Sequence, residues 1–183
     1  MNNHINAFLG LVSVLALSQC STKDNCINAS DRQSSQIRKL NEFTSVETSE
    51  SIKVVLKQGN SHAVTINAAN NIILYIKTSV ENNKLSIKLD KDICREGEIV
   101  VVVSSKNYEE IFASGTVEVG TEGKLSLNNL NLNLSGANKV DLNMDVNHLE
   151  TKSDGDSNII LKGNIKSHSV KATGECTINN QAI

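Results

Sequence analysis

The feature that most constrains the fold of this chain is a repeat of 19 to 21 residues in the second half of the sequence. Four glycines, separated by 21, 19 and 19 residues, each follow a polar residue and each precede a β-branched residue by four positions. Apolar and polar residues alternate within the repeats, as they do in strands that bury one face. The glycines are Gly115, Gly136, Gly155 and Gly174, and the β-branched residues are Val119, Val140, Ile159 and Ile178.

A repeat of this length predicts a right-handed, β-helix-like solenoid built from stacked short strands. One coil alone cannot bury its apolar side, so like residues must stack on like residues in neighbouring coils. In this register the glycines turn the chain at the corners, and the four β-branched residues form a core column. We therefore predict an all-β body with regular coils over residues 106–183.

Residues 41–105 show the same alternation without the glycine repeat. The tetrapeptide Gln58-Gly59-Asn60-Ser61 predicts a hairpin turn, and Asn82-Asn83 supplies the two positive-φ residues of a type I′ turn. Residues 72–78 fit either a strand or a single helical turn. The apolar run Ile99 to Val103 fits a strand buried on both faces. This half is predicted to form a meander or the first coils.

Six short segments of the chain have a recognisable sequence pattern. They are Ile111-Phe-Ala-Ser-Gly115, Leu134-Ser-Gly-Ala-Asn-Lys-Val140, Lys171-Ala-Thr-Gly174, Phe43-Thr-Ser-Val46, Val55-Leu-Lys-Gln-Gly59 and Lys84-Leu-Ser-Ile87. These segments resemble the repeated motifs of the head GIN domain family of putative auto-transporter adhesins, formerly a domain of unknown function. The resemblance covers residues 40–180 and implies a β-helix-like fold, export from the cytoplasm and lipoprotein anchoring. It implies no catalytic residues.

The first 19 residues are predicted to be a lipoprotein signal peptide. The apolar run Ala7 to Leu17 has 11 residues, which is too short to span a bilayer but suits the core of a signal peptide. Leu17-Ser18-Gln19-Cys20 resembles a bacterial lipobox, which makes Cys20 the predicted site of lipid attachment. The alternatives are a buried helix, or a signal peptide cut elsewhere. Residues 20–40 are polar and predict a tether to the body at 41–183.

Three further cysteines, Cys26, Cys94 and Cys176, show no CxxC or Cys/His metal spacing. Export permits disulfides, and a bridge between Cys94 and Cys176 is one option. We expect free buried thiols instead, with Cys26 in the tether and Cys176 stacked in an inward column.

Two groups of residues resemble partial metal sites. Asp154-Gly-Asp156-Ser-Asn158 begins like a calcium loop, but Ile159 and Ile165 occupy the positions that need Gly and Glu. His148 and His168 are about one coil apart, and no carboxylate or cysteine column joins them to complete a zinc site. We expect neither metals nor cofactors.

The residues also argue against an enzyme. Glu109 and Glu110 are adjacent, so in a strand they point to opposite faces. Asp141 and Asp145 share a parity with Asn143, which predicts a mildly acidic outer row rather than an acid–base pair. The scarcity of aromatic residues, 3% of the chain, disfavours a carbohydrate-binding module that stacks on sugar rings.

The function predicted from the sequence is a non-enzymatic, membrane-anchored lipoprotein with an adhesion or interaction domain, secreted through the inner membrane and held at the outer membrane. The alternatives are a periplasm-facing structural or sensing component and a glycan-active enzyme. The outward column Lys139, Asn158 and Thr177 forms either a binding surface or a solvated face. A net charge of -2 and the lack of basic clusters disfavour nucleic acid, whereas unpaired edges at the end of a solenoid predict self-association.

Overall fold

The structure, a computed structural model, describes residues 26–49, 51–95 and 97–181. These residues form 14 β-strands and one short 3-10 helix, Ile73–Tyr75, which confirms the predicted all-β class. The strands are β1 (Ile27–Asn28), β2 (Gln33–Lys39), β3 (Ser45–Ser49), β4 (Lys53–Gln58), β5 (Ala63–Ala69), β6 (Ile76–Glu81), β7 (Lys84–Leu89), β8 (Ile93–Arg95), β9 (Val100–Ser105), β10 (Glu110–Glu122), β11 (Leu125–Asp154), β12 (Ser157–Lys162), β13 (Ile165–Thr173) and β14 (Cys176–Gln181).

In the second half, segments one repeat apart lie side by side and run parallel. Strand β10 pairs with β11 so that Gly115 faces Gly136 and Val119 faces Val140. Strand β11 pairs with both β12 and β13, and β12 pairs with β14. The repeat seen in the sequence is therefore the offset between hydrogen-bonded neighbours.

The first half joins this stack through β3 and β4, which pair in parallel with β10. Antiparallel strands complete the stack, with β6 next to β7 and β5 between β2 and β9. Asn82 and Asn83 have φ values of 50° and 62°, so both adopt the positive φ predicted for the turn between β6 and β7. The ambiguous segment at 72–78 divides between the 3-10 helix and the start of β6.

The hairpin predicted at residues 58–61 is wrong. Strands β4 and β5 are not neighbours, because β9 lies between them and pairs in parallel with β4 and antiparallel with β5. The side chains of Val101 and Val103 in β9 are fully buried, whereas Val100 and Val102 on the other face are only partly buried, so the expectation of burial on both faces is wrong. An apolar strand gains more by burial in the centre of the sheet than at its edge.

The core consists of side chains stacked in columns along the sheet. In one column Val54 pairs with Val101 on one side and Val119 on the other, and the column continues to Ile178. All are buried except Ile178, which is partly covered at the last strand. The members of the column are Val101, Val54, Val119, Val140, Ile159 and Ile178.

The segment assigned to a tether is ordered from Cys26 onward, so that assignment is wrong for residues 26–39. Strand β2 pairs antiparallel with β5. Because backbone pairing needs no apolar side chains, the polar sequence of β2 does not indicate a strand. Arg38 fixes it by donating hydrogen bonds to the carbonyl oxygens of Ile76, at 2.6 Å, and Ile73, at 3.2 Å. The predicted signal peptide and Cys20 lie outside the described residues.

The cysteine pairing also differs from the expectation. Cys26 and Cys94 form a disulfide with a Cα–Cα distance of 5.0 Å, and β1 next to it pairs in parallel with β8. Cys176 is a free, half-buried thiol. The expectation that Cys94 is a free buried thiol is wrong because strand pairing brings the two distant segments together.

Candidate interaction site

The corner glycines position the outward-facing side chains. Gly115, Gly136, Gly155 and Gly174 have φ values between 90° and 118°. A Cβ on Gly136 would lie 2.6 Å from the carbonyl oxygen of Gly115, and a Cβ on Gly155 would lie 2.7 Å from that of Gly136. Because these corners stack in contact, the residues just before each glycine stay in one register from strand to strand.

Four strand segments that end just before these glycines, together with one segment that pairs with the first of them, form one face of the stack, and we call all five rungs. They are residues 45–49, 110–114, 131–135, 150–154 and 169–173. Each rung directs two side chains outward into a shared cleft with a volume of about 650 Å³. One wall consists of Glu47, Phe112, Asn133, Lys152 and Lys171, and the other of Ser49, Ser114, Ser135, Asp154 and Thr173.

At one end the cleft contains its single aromatic side chain. The Lys84 ammonium group lies 4.3 Å from the centroid of the Phe112 ring, a cation–π contact. Glu47 accepts ion pairs from Lys88, at 3.7 Å, and from Lys84, at 4.0 Å. At this end two ammonium groups therefore share one carboxylate beside a half-buried ring.

At the other end two lysines occupy adjacent rungs. Lys152 and Lys171 are direct partners in the parallel register. Lys152 pairs with Glu150 at 3.2 Å, whereas Lys171 pairs with no carboxylate among the described residues. Like charges placed directly opposite each other destabilise a sheet. Asp154 also lines this end of the cleft but forms an ion pair with neither lysine in the described structure, so Lys171 is left without a carboxylate partner.

On other outward columns the charges alternate in sign. Glu118 lies between Lys53, at 3.9 Å, and Lys139, at 3.8 Å. The column predicted from Lys139 continues through Asn158 and Thr177. It lies outside the cleft, and its neighbouring charges compensate each other as a solvated face does.

The predicted acidic row is neutralised in the same way. Asp141 pairs with Lys162 at 2.7 Å, and Asp145 pairs with Lys124 at 2.7 Å. The hydrogen bond from Lys124, with a second from the Asn164 amide, lowers the pKa of Asp145. Each carboxylate has its own cation, which leaves no free acid pair along this row.

The two groups of residues that resemble partial metal sites are not brought together as ligand sets in the described structure. His148 pairs in register with Ser167, whereas His168 is next to Leu149, so the two imidazoles are on opposite faces. The Nε2 atom of His168 lies 2.9 Å from the Thr151 hydroxyl, and burial lowers the pKa of His168. In the part of the chain that the structure describes, no three His, Cys, Asp or Glu side chains cluster as metal ligands, and this includes Asp154 and Asp156.

One group that resembles a catalytic triad was not predicted from the sequence. Ser105 Oγ lies 3.3 Å from His62 Nδ1, and His62 Nε2 lies 3.9 Å from Glu42 Oε1. The Ser105 hydroxyl is fully buried and lies 2.9 Å from the carbonyl oxygens of both Phe43 and Asn107. A nucleophile must reach its substrate, and the buried Ser105 hydroxyl cannot. The hydrogen bonds of this group instead stabilise the loop between β9 and β10. Only spatial pairing brings its members together.

The chain matches the model of one protein family. The model for "Putative auto-transporter adhesin, head GIN domain" matches residues 42–183. The chain belongs to this family. Comparison with curated proteins gives no match.

Three solved structures of bacterial proteins are similar to this chain. A protein titled "Putative lipid binding protein" from Parabacteroides distasonis ATCC 8503 superposes with a TM-score of 0.56 at 12% identity, covering 85% of this chain and 96% of its own. A "putative cell adhesion protein" from Clostridium sporogenes ATCC 15579 gives 0.49 at 14% identity, with coverages of 83% and 100%. A "putative adhesin" from Parabacteroides merdae ATCC 43184 gives 0.46 at 13%, with coverages of 85% and 99%. At these identities the likeness concerns the fold.

Among residues 26–49, 51–95 and 97–181, no helix has the length and apolar character needed to cross a membrane.

Proposed function

We propose that this chain is a non-enzymatic lipoprotein of the bacterial cell envelope. A lipid on Cys20 holds it at the outer membrane after secretion through the inner membrane, with residues 1–19 removed as a signal peptide. Its body is a right-handed β-solenoid that serves as an adhesion or interaction domain.

The observation that carries this proposal is the cleft beside the glycine corners. A binding surface needs side chains held in fixed positions, and here backbone pairing sets the positions on the rungs, with contact between glycines on the four rungs that precede Gly115, Gly136, Gly155 and Gly174. The cleft offers hydroxyl, amide, ammonium, carboxylate and aromatic groups, which can form hydrogen bonds, ion pairs and apolar contacts with a ligand. The carboxylates outside it, Asp141 and Asp145, are tied to lysines. Membership of an adhesin family supports the same function.

Protease accessibility on intact cells tests the exposure of the body. Digestion on intact cells supports adhesion outside the cell. Protection until lysis would contradict adhesion and would favour the alternative, a structural or sensing component that faces the periplasm.

A Cys20→Ala variant tests the anchor, with Ser21→Ala as a matched control next to the proposed lipid site. We expect Cys20→Ala to appear in soluble fractions, while Ser21→Ala stays with the membrane. If Cys20→Ala also stays with the membrane, lipid attachment at Cys20 is wrong.

A further inference from the structure

The stacked lysines in the cleft, Lys152 and Lys171, repel each other, and the fold does not require this electrostatic cost. Lys77 and Lys88 also face each other across a strand pair, but each pairs with a carboxylate. Lys77 pairs with Asp90 at 3.6 Å, and Lys88 pairs with Glu47, which Lys84 shares, at 3.7 Å. Lys171 faces Lys152 without such a partner. An anionic group bound between the two ammonium groups would relieve the repulsion by direct charge pairing.

The shape of the cleft indicates an elongated ligand. Its five rungs are stacked at the spacing of hydrogen-bonded strands, so it extends for about 19 Å along the stack. On every rung a polar or aromatic residue of one wall faces a hydroxyl-bearing residue or Asp154 on the other. A linear chain of similar units would meet similar groups at each step.

The chemistry of the walls favours a sugar chain over a peptide. The cleft lies on the face of a sheet, where the backbone groups pair with neighbouring strands, so a peptide could not add itself as an extra strand. Hydroxyl side chains of Ser49, Ser114 and Ser135 and the Asn133 amide instead match a polyhydroxylated ligand. Phe112 supplies one apolar surface, which makes this a site dominated by hydrogen bonds and charge rather than by ring stacking.

We propose that this cleft binds a linear acidic glycan, with an acid group held between Lys152 and Lys171 and the neighbouring sugars along Asn133 and Phe112. This inference rests on the proposed function as an interaction domain and identifies the class of its ligand.

The binding test uses the purified protein with residues 26–181 intact and three defined probes: an oligogalacturonate, a neutral cello-oligosaccharide of the same length, and poly-glutamate of comparable charge. Titration calorimetry should detect binding of the oligogalacturonate that weakens as salt increases, and much weaker binding of the other two. Equal binding of poly-glutamate would overturn the glycan assignment and indicate a general anion patch. No binding of the oligogalacturonate, or equal binding of the neutral sugar, would also overturn it.

Variants locate the site. Lys152→Gln and Lys171→Gln should each weaken oligogalacturonate binding roughly fivefold, as expected for partly solvated charge pairs, and Phe112→Ala should weaken it by a similar factor. Lys166→Gln is the matched control, because Lys166 is an exposed lysine of the same strand that lies outside the cleft. Unchanged melting temperatures would show that the variants fold.

If Lys166→Gln weakens binding as much as Lys171→Gln, the site is not the cleft and the proposal fails. Its failure is distinguishable from that of the proposed function, since protease accessibility on intact cells tests exposure without any ligand, whereas calorimetry tests the ligand without any cell.

Discussion

At the residue scale the corner glycines couple backbone conformation to contact between rungs. Gly136 and Gly123 both have positive φ, at 90° and 80°, but they differ in surroundings. A Cβ at position 136 would meet the Gly115 backbone at 2.6 Å, whereas at position 123 it would meet nothing within 4 Å. Substitutions at these two glycines therefore separate the free-energy cost of the left-handed conformation from the free-energy cost of the contact.

We expect Gly123→Ala to lower the free energy of unfolding by about 1–2 kcal/mol, the cost of positive φ for a residue with a Cβ. Gly136→Ala should cost about 1–3 kcal/mol more, because the methyl group must force the corners apart. Chemical denaturation of both variants measures the difference. Equal losses would show that the corner contact adds nothing.

The inward column makes a second prediction at this scale. Val140 and Ile159 are fully buried and stacked on each other. Val140→Asp or Ile159→Asp places an unpaired charge in the core, which costs about 3–5 kcal/mol and should unfold the body. Thermal unfolding followed by circular dichroism tests this, with the exposed Lys139→Asn as a control that should change little. Retention of the wild-type melting temperature in either core variant would contradict the column.

Residue-level alternation could be predicted from the sequence because a strand assigns successive side chains to opposite faces. It placed Val119, Val140 and Ile159 on one inward column, where the structure has them. The cleft could not be predicted in this way. In the sequence Phe112 is an isolated aromatic residue, and only the fold brings Lys84, from a strand distant in sequence, over its ring.

At the element scale the order of strands depends on partners that local sequence does not specify. The turn residues after β4 correctly indicate the end of a strand, but the position of β9 between β4 and β5 depends on competition for the centre of the sheet. Strand β2 was missed for a similar reason, since its exposed side chains contain no signal of backbone pairing.

The disulfide between Cys26 and Cys94 makes the third prediction. It joins residues 68 positions apart, and closing a loop of this length restricts the unfolded chain by an amount worth about 2–4 kcal/mol. A Cys26→Ser/Cys94→Ser double variant should lose stability by that amount in denaturant unfolding. The Cys176→Ser control, which leaves the bridge intact, should lose less. A double variant as stable as the control would mean that β1 and β8 hold without the bridge.

At the scale of the whole molecule the sheet has edges with different protection. Of the strands in the 12-stranded sheet that are paired on one side only within the described chain, β2 carries Arg38 and Lys39, β6 carries Lys77 and Glu81, and β13 carries Lys166 and Lys171. Strand β14 carries no charged residue, and Ile178 next to its edge is only partly covered. Charged side chains protect edges from pairing with other molecules, so β14 is the edge most open to a second copy of the chain.

We therefore propose self-association through β14, and expect the weight-average mass in sedimentation velocity to increase with protein concentration. Asn179→Lys places a charge on this exposed strand and should reduce the association, because two copies in contact would bring like charges together. Ser35→Lys adds the same charge to the exposed strand β2 at the other edge and should leave the association unchanged. A wild-type protein that stays monomeric at every concentration, or an Asn179→Lys variant that associates as the wild type does, would contradict pairing at β14.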